Sequence, residues 1–127
     1  MGNVKPMKIN FVVGLPGSGK SKLLKDKEFK IDDLVNPQFP ECDELWITDP
    51  RFCDDRFFND CLLNLRKIYG QFQHSTVYFD NNVQKCLQNI EHRRLHGDER
   101  EVEGLLKRLS RKYQPINPIE VESEFVL

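Results

Sequence analysis

The stretch from Lys8 to Leu24, KINFVVGLPGSGKSKLL, constrains the fold of this chain more than any other. A mostly apolar run ends at Val13 and leads into the octapeptide GLPGSGKS, which matches the pattern G-x-x-x-x-G-K-[ST] at every specified position. The apolar run predicts a strand that is covered on both faces, and a helix is expected to begin near Lys20. The stretch therefore predicts a strand, a tight loop and a helix in immediate succession.

The residue types of this octapeptide suit the binding of phosphate. Glycines let the backbone fold tightly around an anion with no Cβ in the way, so that successive N–H groups point inward. The helix after the loop adds the positive end of its dipole. Lys20 can reach the β- and γ-phosphates, and the Ser21 hydroxyl can bind the accompanying Mg²⁺. The residues predicted to bind a nucleoside triphosphate are Gly14, Leu15, Pro16, Gly17, Ser18, Gly19, Lys20, Ser21 and Lys22.

The composition is that of one globular domain without a strong charge bias. The 127 residues include 19 Lys and Arg against 20 Asp and Glu, and 39% of them are hydrophobic. These values do not indicate nucleic acid or membrane as a general partner, and no apolar stretch is long enough to span a bilayer. The four cysteines show no C-x-x-C spacing, which favours reduced thiols in a cytoplasmic protein. A single domain, 1–127, is expected, with loose tails at 1–7 and 122–127.

Strand patterns alternate with helix patterns along the rest of the chain. Further strands are predicted at 29–33, 44–48 and 75–79, with 119–121 as a short fifth strand. Helices are predicted at 20–27, from Asp54 or Asp55 to Gly70, after Asp80-Asn81-Asn82, and over 102–113. This alternation predicts a three-layer α/β fold of the P-loop NTPase type, with a parallel sheet of four to five strands and helices on both faces. In such folds, ligands bind at the carboxyl ends of the strands.

Carboxylates follow two of the predicted strands. Asp49 ends the third strand, where a carboxylate can hold Mg²⁺ directly or through a water molecule. Asp49 could instead be a turn former before Pro50. Asp32 and Asp33 end the second strand, and either could accept the proton of an attacking hydroxyl. A helix cap or a solvated loop is the alternative for this pair.

Arginines are concentrated in the segment after the fourth strand's helix. Arg93, Arg94 and Arg100 could stabilise the charge that develops on a transferred phosphoryl group, although a run of charges is often only a solvated surface. Arg51 and Arg56 follow Asp49 closely. These two are lesser candidates for contacting a phosphate on the acceptor.

Four segments together resemble one known family. GLPGSGKS, the strand that ends at Asp32-Asp33, the ITD segment that ends at Asp49, and the later VYFDNNVQKCLQNIEHRR are similar to the P-loop kinases grouped around polynucleotide kinase and the zeta-toxin-like enzymes. The similarity covers roughly 8–113, and the glycine-rich loop is its one sharp motif.

The resemblance implies roles for particular residues. In that family an aspartate at the end of the strand after the loop helix activates the acceptor hydroxyl, and Asp32 or Asp33 stands at that place. The arginines after Asn89 would belong to a lid over ATP. The arginine that follows the family's catalytic aspartate has no counterpart after Asp33, where Leu34-Val35-Asn36 stand.

The function expected from these features is that of a small ATP-dependent kinase with Mg²⁺. It would transfer the γ-phosphoryl group to a hydroxyl or phosphate on a nucleotide, a nucleoside or a polynucleotide end. The predicted catalytic residues are Lys20, Asp32, Asp33, Arg93 and Arg94, and the predicted metal ligands are Ser21 and Asp49. The alternatives are an NTPase that hydrolyses the nucleotide in concert with a partner, and a module that binds nucleotide without turnover.

Overall fold

The computed structural model describes residues 7–98 and 102–123 of the chain. Strands and helices alternate along it, with one short 3₁₀ helix. In chain order the elements are β1 (Lys8–Val13), α1 (Lys20–Leu24), β2 (Lys30–Asp32), β3 (Glu44–Thr48), the 3₁₀ helix (Pro50–Cys53), α2 (Asp55–Tyr69), β4 (Gln73–Tyr78), α3 (Val83–Leu95) and α4 (Glu103–Ser110).

The four strands form one parallel sheet in the order β2-β3-β1-β4. The central strand β1 is buried from Ile9 to Val13, because it has a neighbour on each side and is covered on both faces. The predicted α/β class and the parallel sheet of four strands are thus confirmed. The predicted fifth strand at 119–121 contributes an isolated parallel bridge, between Ile119 and Phe79, and no regular strand.

Helical segments contact opposite faces of the sheet. On one face, the ring of Phe11 lies 5.7 Å from that of Phe52 in the 3₁₀ helix and 5.0 Å from that of Phe58 in α2. Phe11 pairs with Ile47, so the side chain of the preceding Trp46 points to the other face. There the ammonium group of Lys27, just after α1, lies 4.4 Å from the centre of the Trp46 ring. The sheet therefore has covering layers on both sides.

The predicted capping residues of the longer helices occupy the expected places. The Asp54 carboxylate accepts a hydrogen bond from the backbone N–H of Arg56 at the start of α2, and Gly70 follows its last residue with a φ of 74°. At α3 the Asn82 side chain accepts from the backbone N–H of Lys85 at 3.0 Å. Local side-chain chemistry therefore fixes where these helices begin and end.

Several element boundaries differ from those expected. Helix α1 ends at Leu24, three residues early, and β4 begins two residues before and ends one residue before the predicted strand at 75–79. Helix α3 continues to Leu95 and so includes Arg93 and Arg94, which were expected in the segment after it. The 3₁₀ helix at Pro50–Cys53 was not predicted from the sequence.

Parts of the two predicted tails are held by hydrogen bonds. The carbonyl of Met7 accepts from the backbone N–H of Gln73, and the carbonyl of Glu122 accepts from the Asn89 side chain. The rest of these tails, 1–6 and 124–127, lies outside the described residues, as does Arg100. No helix within the described residues has the length and apolar character needed to cross a membrane.

Candidate functional site

The Gly14–Ser21 loop connects β1 to α1 and is packed closely against α3. Gly17 has a φ of +84° and Gly19 a φ of +106°, a backbone region that favours glycine. A Cβ built on Gly17 would lie 2.5 Å from the carbonyl oxygen of Cys86 in α3. Glycine at positions 17 and 19 is therefore required by the conformation and packing of the loop itself.

Lys20 folds back over this loop. Its side chain is largely buried, and its ammonium group donates a hydrogen bond of 2.7 Å to the carbonyl oxygen of Leu15. Burial lowers the pKa of Lys20 to about 8, against the partly opposing effects of Cys53, Cys86 and Asp32. The loop thus holds a desolvated cation at its centre, and an anion beside this cation would be strongly favoured.

Two hydroxyl groups of the loop differ in their surroundings. Ser18 is buried, and its Oγ has no hydrogen-bond partner among the described residues. Ser21 is exposed at the start of α1. A buried hydroxyl without a partner costs free energy, so the Ser18 hydroxyl is suited to gain a polar ligand.

A cavity of about 450 Å³ opens next to the loop, and we call it the first cavity. Its lining comes from five places: the loop with the start of α1, the end of β2, the first residue of the 3₁₀ helix, helix α3 and helix α4. It brings together seven of the residues singled out in the sequence: Pro16, Gly17, Lys20, Ser21, Asp32, Asp33 and Arg93.

The two neighbouring aspartates at the end of β2 face different groups. Asp32 acts electrostatically on Lys20 and raises its pKa, which places the two opposite charges near one another. Asp33 has a φ of +84°, and its carboxylate lies 4.0 Å from the guanidinium of Arg51. Burial and the nearby carboxylate of Asp49 raise the pKa of Asp33. Asp32 is therefore the aspartate closer to the centre of the loop.

Asp49 has its carboxylate oxygens occupied by protein donors. The side chain is fully buried, and its oxygens accept from the backbone N–H groups of Leu34 and Arg51 and from two nitrogens of the Arg51 guanidinium, at 2.8–2.9 Å. Burial alone would raise the pKa of Asp49, but these hydrogen bonds outweigh it and lower the pKa. Asp49 could bind a metal ion only if Arg51 moved away from its carboxylate. This geometry therefore favours a structural role for Asp49.

Arg51 also provides a guanidinium beside the β2 aspartates. It reaches the Leu34 carbonyl at 3.4 Å as well as approaching Asp33. No arginine directly follows Asp33 in the sequence, and the arginine that approaches it comes from the 3₁₀ helix after β3. Because Asp49 caps the 3₁₀ helix and Pro50 begins it, the Asp-Pro-Arg order was the available signal for this pairing.

The arginines of α3 separate into two environments. Arg93 lines the first cavity, whereas Arg94 forms an ion pair with Glu103 of α4 and does not line it. Asn89, one turn earlier, is fully buried and donates to the carbonyl of Gly17 at 2.9 Å and to that of Glu122 at 2.8 Å. The sequence pattern thus identified Arg93, which lines the cavity. It did not indicate that the Asn89 amide joins the loop to the 119–123 segment by hydrogen bonds.

A larger cavity of about 860 Å³, the second cavity, lies on another side of the loop. Ser18, Gly19 and Lys22 line it from the loop and α1, and Phe79 and Ile119 provide apolar wall. Both cavity volumes fall in the range of about 300–1,000 Å³ that is usual for small-molecule sites. The loop thus borders two cavities of ligand size.

The described residues contain no cluster of three or more His, Cys, Asp or Glu side chains arranged to hold a metal ion. Mg²⁺ that arrives with a nucleotide usually keeps several waters and is bound by one or two protein groups together with phosphate oxygens. The exposed Ser21 hydroxyl, at the edge of the first cavity, is compatible with this type of binding.

Comparison with known proteins gives little functional information. No protein-family model matches the chain. The chain is 28% identical over 97 residues to an uncharacterized protein of Acanthamoeba polyphaga mimivirus, an alignment that covers 65% of this chain and 70% of that protein. The description of the viral protein states no activity, so a functional argument depends on the residues of the site.

Proposed function

We propose that this chain is a P-loop phosphotransferase that moves the γ-phosphoryl group of ATP to a hydroxyl on a nucleotide, a nucleoside or a polynucleotide end. The observation that carries the proposal is the first cavity, where the loop with the start of α1, the end of β2 and helix α3 bring a buried lysine, a hydroxyl, two carboxylates and an arginine together. Phosphoryl transfer needs cations around the phosphates and a base near the acceptor, and this set contains both. The P-loop NTPase fold and the resemblance to P-loop kinases belong to the same proposal.

The loop fits a triphosphate on three grounds. Lys20 is a desolvated cation whose ammonium group is held by a backbone carbonyl, and phosphate oxygens would be stronger acceptors than that carbonyl. The Ser18 hydroxyl is buried without a partner among the described residues. Gly17 and Gly19 keep the loop free of side chains where the backbone turns. Gly17 and Lys20 line the first cavity and Ser18 and Gly19 line the second, so these groups would hold phosphate oxygens along the loop from one cavity to the other.

The second cavity is our candidate for the nucleoside half of ATP. It begins at Ser18 and Gly19, where the chain of phosphates would leave the loop, and its volume is about 860 Å³. Phe79 and Ile119 supply the apolar surface that a base requires. The first cavity then remains for the acceptor.

The residues of the first cavity would have different roles in the transfer of the phosphoryl group. Asp32 would take the proton from the acceptor hydroxyl as that oxygen attacks the γ-phosphorus of ATP, whose bond to the bridging oxygen breaks so that ADP leaves. Lys20 and Arg93 would stabilise the negative charge on the transferred group. Mg²⁺, held by Ser21 and the phosphates, would supply further neutralisation of charge. Asp33, directed toward Arg51, would position the arginine or the acceptor.

The direct test is transfer of labelled phosphate from [γ-³²P]ATP to nucleosides, nucleotides and oligonucleotides that carry a free 5′-hydroxyl. Because Asp32 lies nearer to Lys20, Asp32→Asn is expected to lower kcat by about 100-fold, the usual size of a lost general base, and Asp33→Asn by less. Release of labelled phosphate without any acceptor would indicate a hydrolase instead. Nucleotide binding with no turnover over hours would indicate a binding module.

The lowered pKa of Lys20 predicts how nucleotide affinity depends on pH. The pKa is about 8 in the free protein, and bound phosphate favours the charged form, so the pKa of Lys20 rises on binding. Above pH 8 binding must therefore take up a proton, and the Kd for Mg-ATP is expected to rise by up to about tenfold per pH unit. Calorimetry between pH 7.5 and 9.5 measures this. Lys20→Arg, which keeps its charge, should show no such rise, and a flat wild-type profile would contradict the assignment.

A further inference from the structure

Two histidines at the end of α3 lie with their rings against one another. His92 belongs to the last turn of the helix, and His96 is the residue directly after it. Residues four apart lie on one side of a helix, and here the centres of the two imidazole rings are 4.5 Å apart, with 48° between the ring planes. His96 is exposed and His92 is half-buried. The pair is therefore within reach of a small ligand from solvent.

A hydrogen bond determines which nitrogen of His96 carries the proton. Nδ1 of His96 lies 2.9 Å from the backbone carbonyl oxygen of His92. A carbonyl oxygen only accepts hydrogen bonds, so Nδ1 donates its N–H and the lone pair of the ring lies on Nε2. Metal-binding histidines have this arrangement, in which one ring nitrogen donates to a carbonyl or carboxylate and the other binds the ion.

The spacing of the two rings suits one shared ion. Imidazole nitrogens bind Zn²⁺ at about 2.0–2.1 Å, so two nitrogens on one ion are at most about 4.2 Å apart. Rings with their centres 4.5 Å apart can meet this limit through rotation of the side chains alone. Nearby arginines would repel a cation, but Arg94 is paired with Glu103 and Arg93 lines the first cavity.

Two simpler roles each explain only part of this geometry. A histidine at the end of a helix often donates to one of the last carbonyls, and the Nδ1 hydrogen bond of His96 does so. That role does not require the ring of His92 to lie against the ring of His96. Contact between two aromatic rings explains their spacing but not the fixed position of the proton. A shared ion explains both features.

We propose that His92 and His96 together bind a divalent transition-metal cation such as Zn²⁺, and that this ion holds the last turn of α3 closed. Imidazole suits Zn²⁺, Ni²⁺ and Cu²⁺, whereas Mg²⁺ prefers oxygen ligands, so this site would be separate from that of the Mg²⁺ that accompanies ATP. Because no cluster of three His, Cys, Asp or Glu side chains occurs among the described residues, water would complete the coordination of the ion.

The turn that the ion would hold closed borders the first cavity. The backbone N–H groups of His96 and Asp98 donate to the carbonyl of Arg93 at 3.0 and 3.1 Å, and Gly97 between them has a φ of +95°. Arg93 and Asp98 both line the first cavity. An ion bound across the two histidines would therefore keep this part of the cavity wall in place.

The first experiment is calorimetric titration of the metal-free protein with ZnCl₂. One Zn²⁺ per chain should bind, and an excess of MgCl₂ should not compete. Loss of a group that merely supports a metal ligand costs about 10- to 100-fold in affinity, so His92→Gln and His96→Gln should each weaken binding by at least about tenfold. His74→Gln, which removes the third histidine of the chain, an exposed residue of β4, is the matched control and should bind normally.

Two results of this titration would overturn the proposal. Competition by Mg²⁺ would indicate oxygen ligands in place of the imidazoles. Equal binding of Zn²⁺ by all four proteins would assign the ion to other groups, such as the partly exposed thiols of Cys42 and Cys61, which every variant retains.

The second experiment observes the imidazole nitrogens by ¹⁵N NMR and needs no variant, so it remains decisive if a substitution impairs folding. Zn²⁺ should shift the Nε2 resonance of His96, whose Nδ1 should stay protonated, and a ring nitrogen of His92. The ring nitrogens of His74 should not shift. Rings of His92 and His96 that are unchanged at saturating Zn²⁺, or a shift in only one of them, would overturn the proposal.

Hydrogen exchange tests whether the ion closes the turn. With Zn²⁺ at about 100 times its Kd, openings that separate the two histidines become up to about 100-fold rarer. Exchange of the His96 and Asp98 amides should slow by at least about tenfold, whereas the Gly70 amide, which closes α2, should exchange as before. Bound Zn²⁺ without slower exchange would overturn the closing role. None of these measurements requires phosphoryl transfer, so their outcome is separate from that of the proposed function.

Discussion

Replacing Lys20 with methionine is expected to lower kcat/KM for ATP by about 100- to 1,000-fold, the effect of removing one positioned donor from a developing charge. Methionine has a similar length and fits the same buried space, but it cannot contact phosphate oxygens. The hydrogen bond from Lys20 to the Leu15 carbonyl is lost too, and removal of a desolvated charge offsets that loss. The free energy of unfolding should therefore change by no more than about 1.5 kcal/mol.

The measurement is the initial rate of labelled phosphate transfer, with urea unfolding carried out on the same samples. Lys67→Met is the control, because Lys67 is an exposed lysine of α2 remote in sequence from the loop. Its activity should equal that of the unmodified protein. Transfer that survives Lys20→Met at the original rate would rule out the proposed role of the loop.

The second large effect is expected on stability, from Arg51→Met. This change removes the two guanidinium hydrogen bonds to Asp49 and leaves a fully buried carboxylate with its two backbone donors alone. Breaking one side of a buried ion pair costs about 3–5 kcal/mol, and the remaining backbone donors place the expected loss near the lower value, about 3 kcal/mol. Urea unfolding at pH 7 measures it, and Arg56→Met, which changes an exposed arginine of α2, should alter the value by less than about 0.5 kcal/mol.

The same pair has a pH signature. The pKa of Asp49 is lowered in the folded protein, so the stabilisation is present above the ordinary aspartate pKa of about 3.9 and is lost as the pH falls through the folded value. The difference between Arg51→Met and the unmodified protein should therefore shrink at acid pH. A difference below about 1 kcal/mol at pH 7 would mean that Arg51 is dispensable for the buried carboxylate.

The elements that the sequence predicts well are those specified by nearby residues. Helix α2 has its apolar periodicity, an Asp cap and a terminal Gly within 17 residues, and the predicted limits agree with the observed Asp55–Tyr69. The Gly14–Ser21 loop is equally local, as is the placement of Asp32 after a strand. Parallel strands bring their carboxyl ends to one edge, which is why Lys20 and Asp32 could be expected near each other.

The parts that were missed depend on contacts between distant segments. Nothing near Asn89 indicates that its amide reaches Gly17, 72 positions away. Asp49 fits a metal ligand in sequence, and only the folded turn directs Arg51 onto it.

The hydrogen bonds that hold the Gly14–Ser21 loop in place also determine when during synthesis the loop can reach its folded conformation. The Tyr113 hydroxyl contacts the carbonyl of Val13, 100 positions earlier, and Asn89 links Gly17 to Glu122. Closing such long separations is slow, because much of the chain must be ordered before these contacts are gained. On the ribosome, the first β-strand and its glycine turn are made early but stay without their final supports until position 122 has left the exit tunnel. A nascent chain arrested before that point should not be retained on an ATP affinity resin.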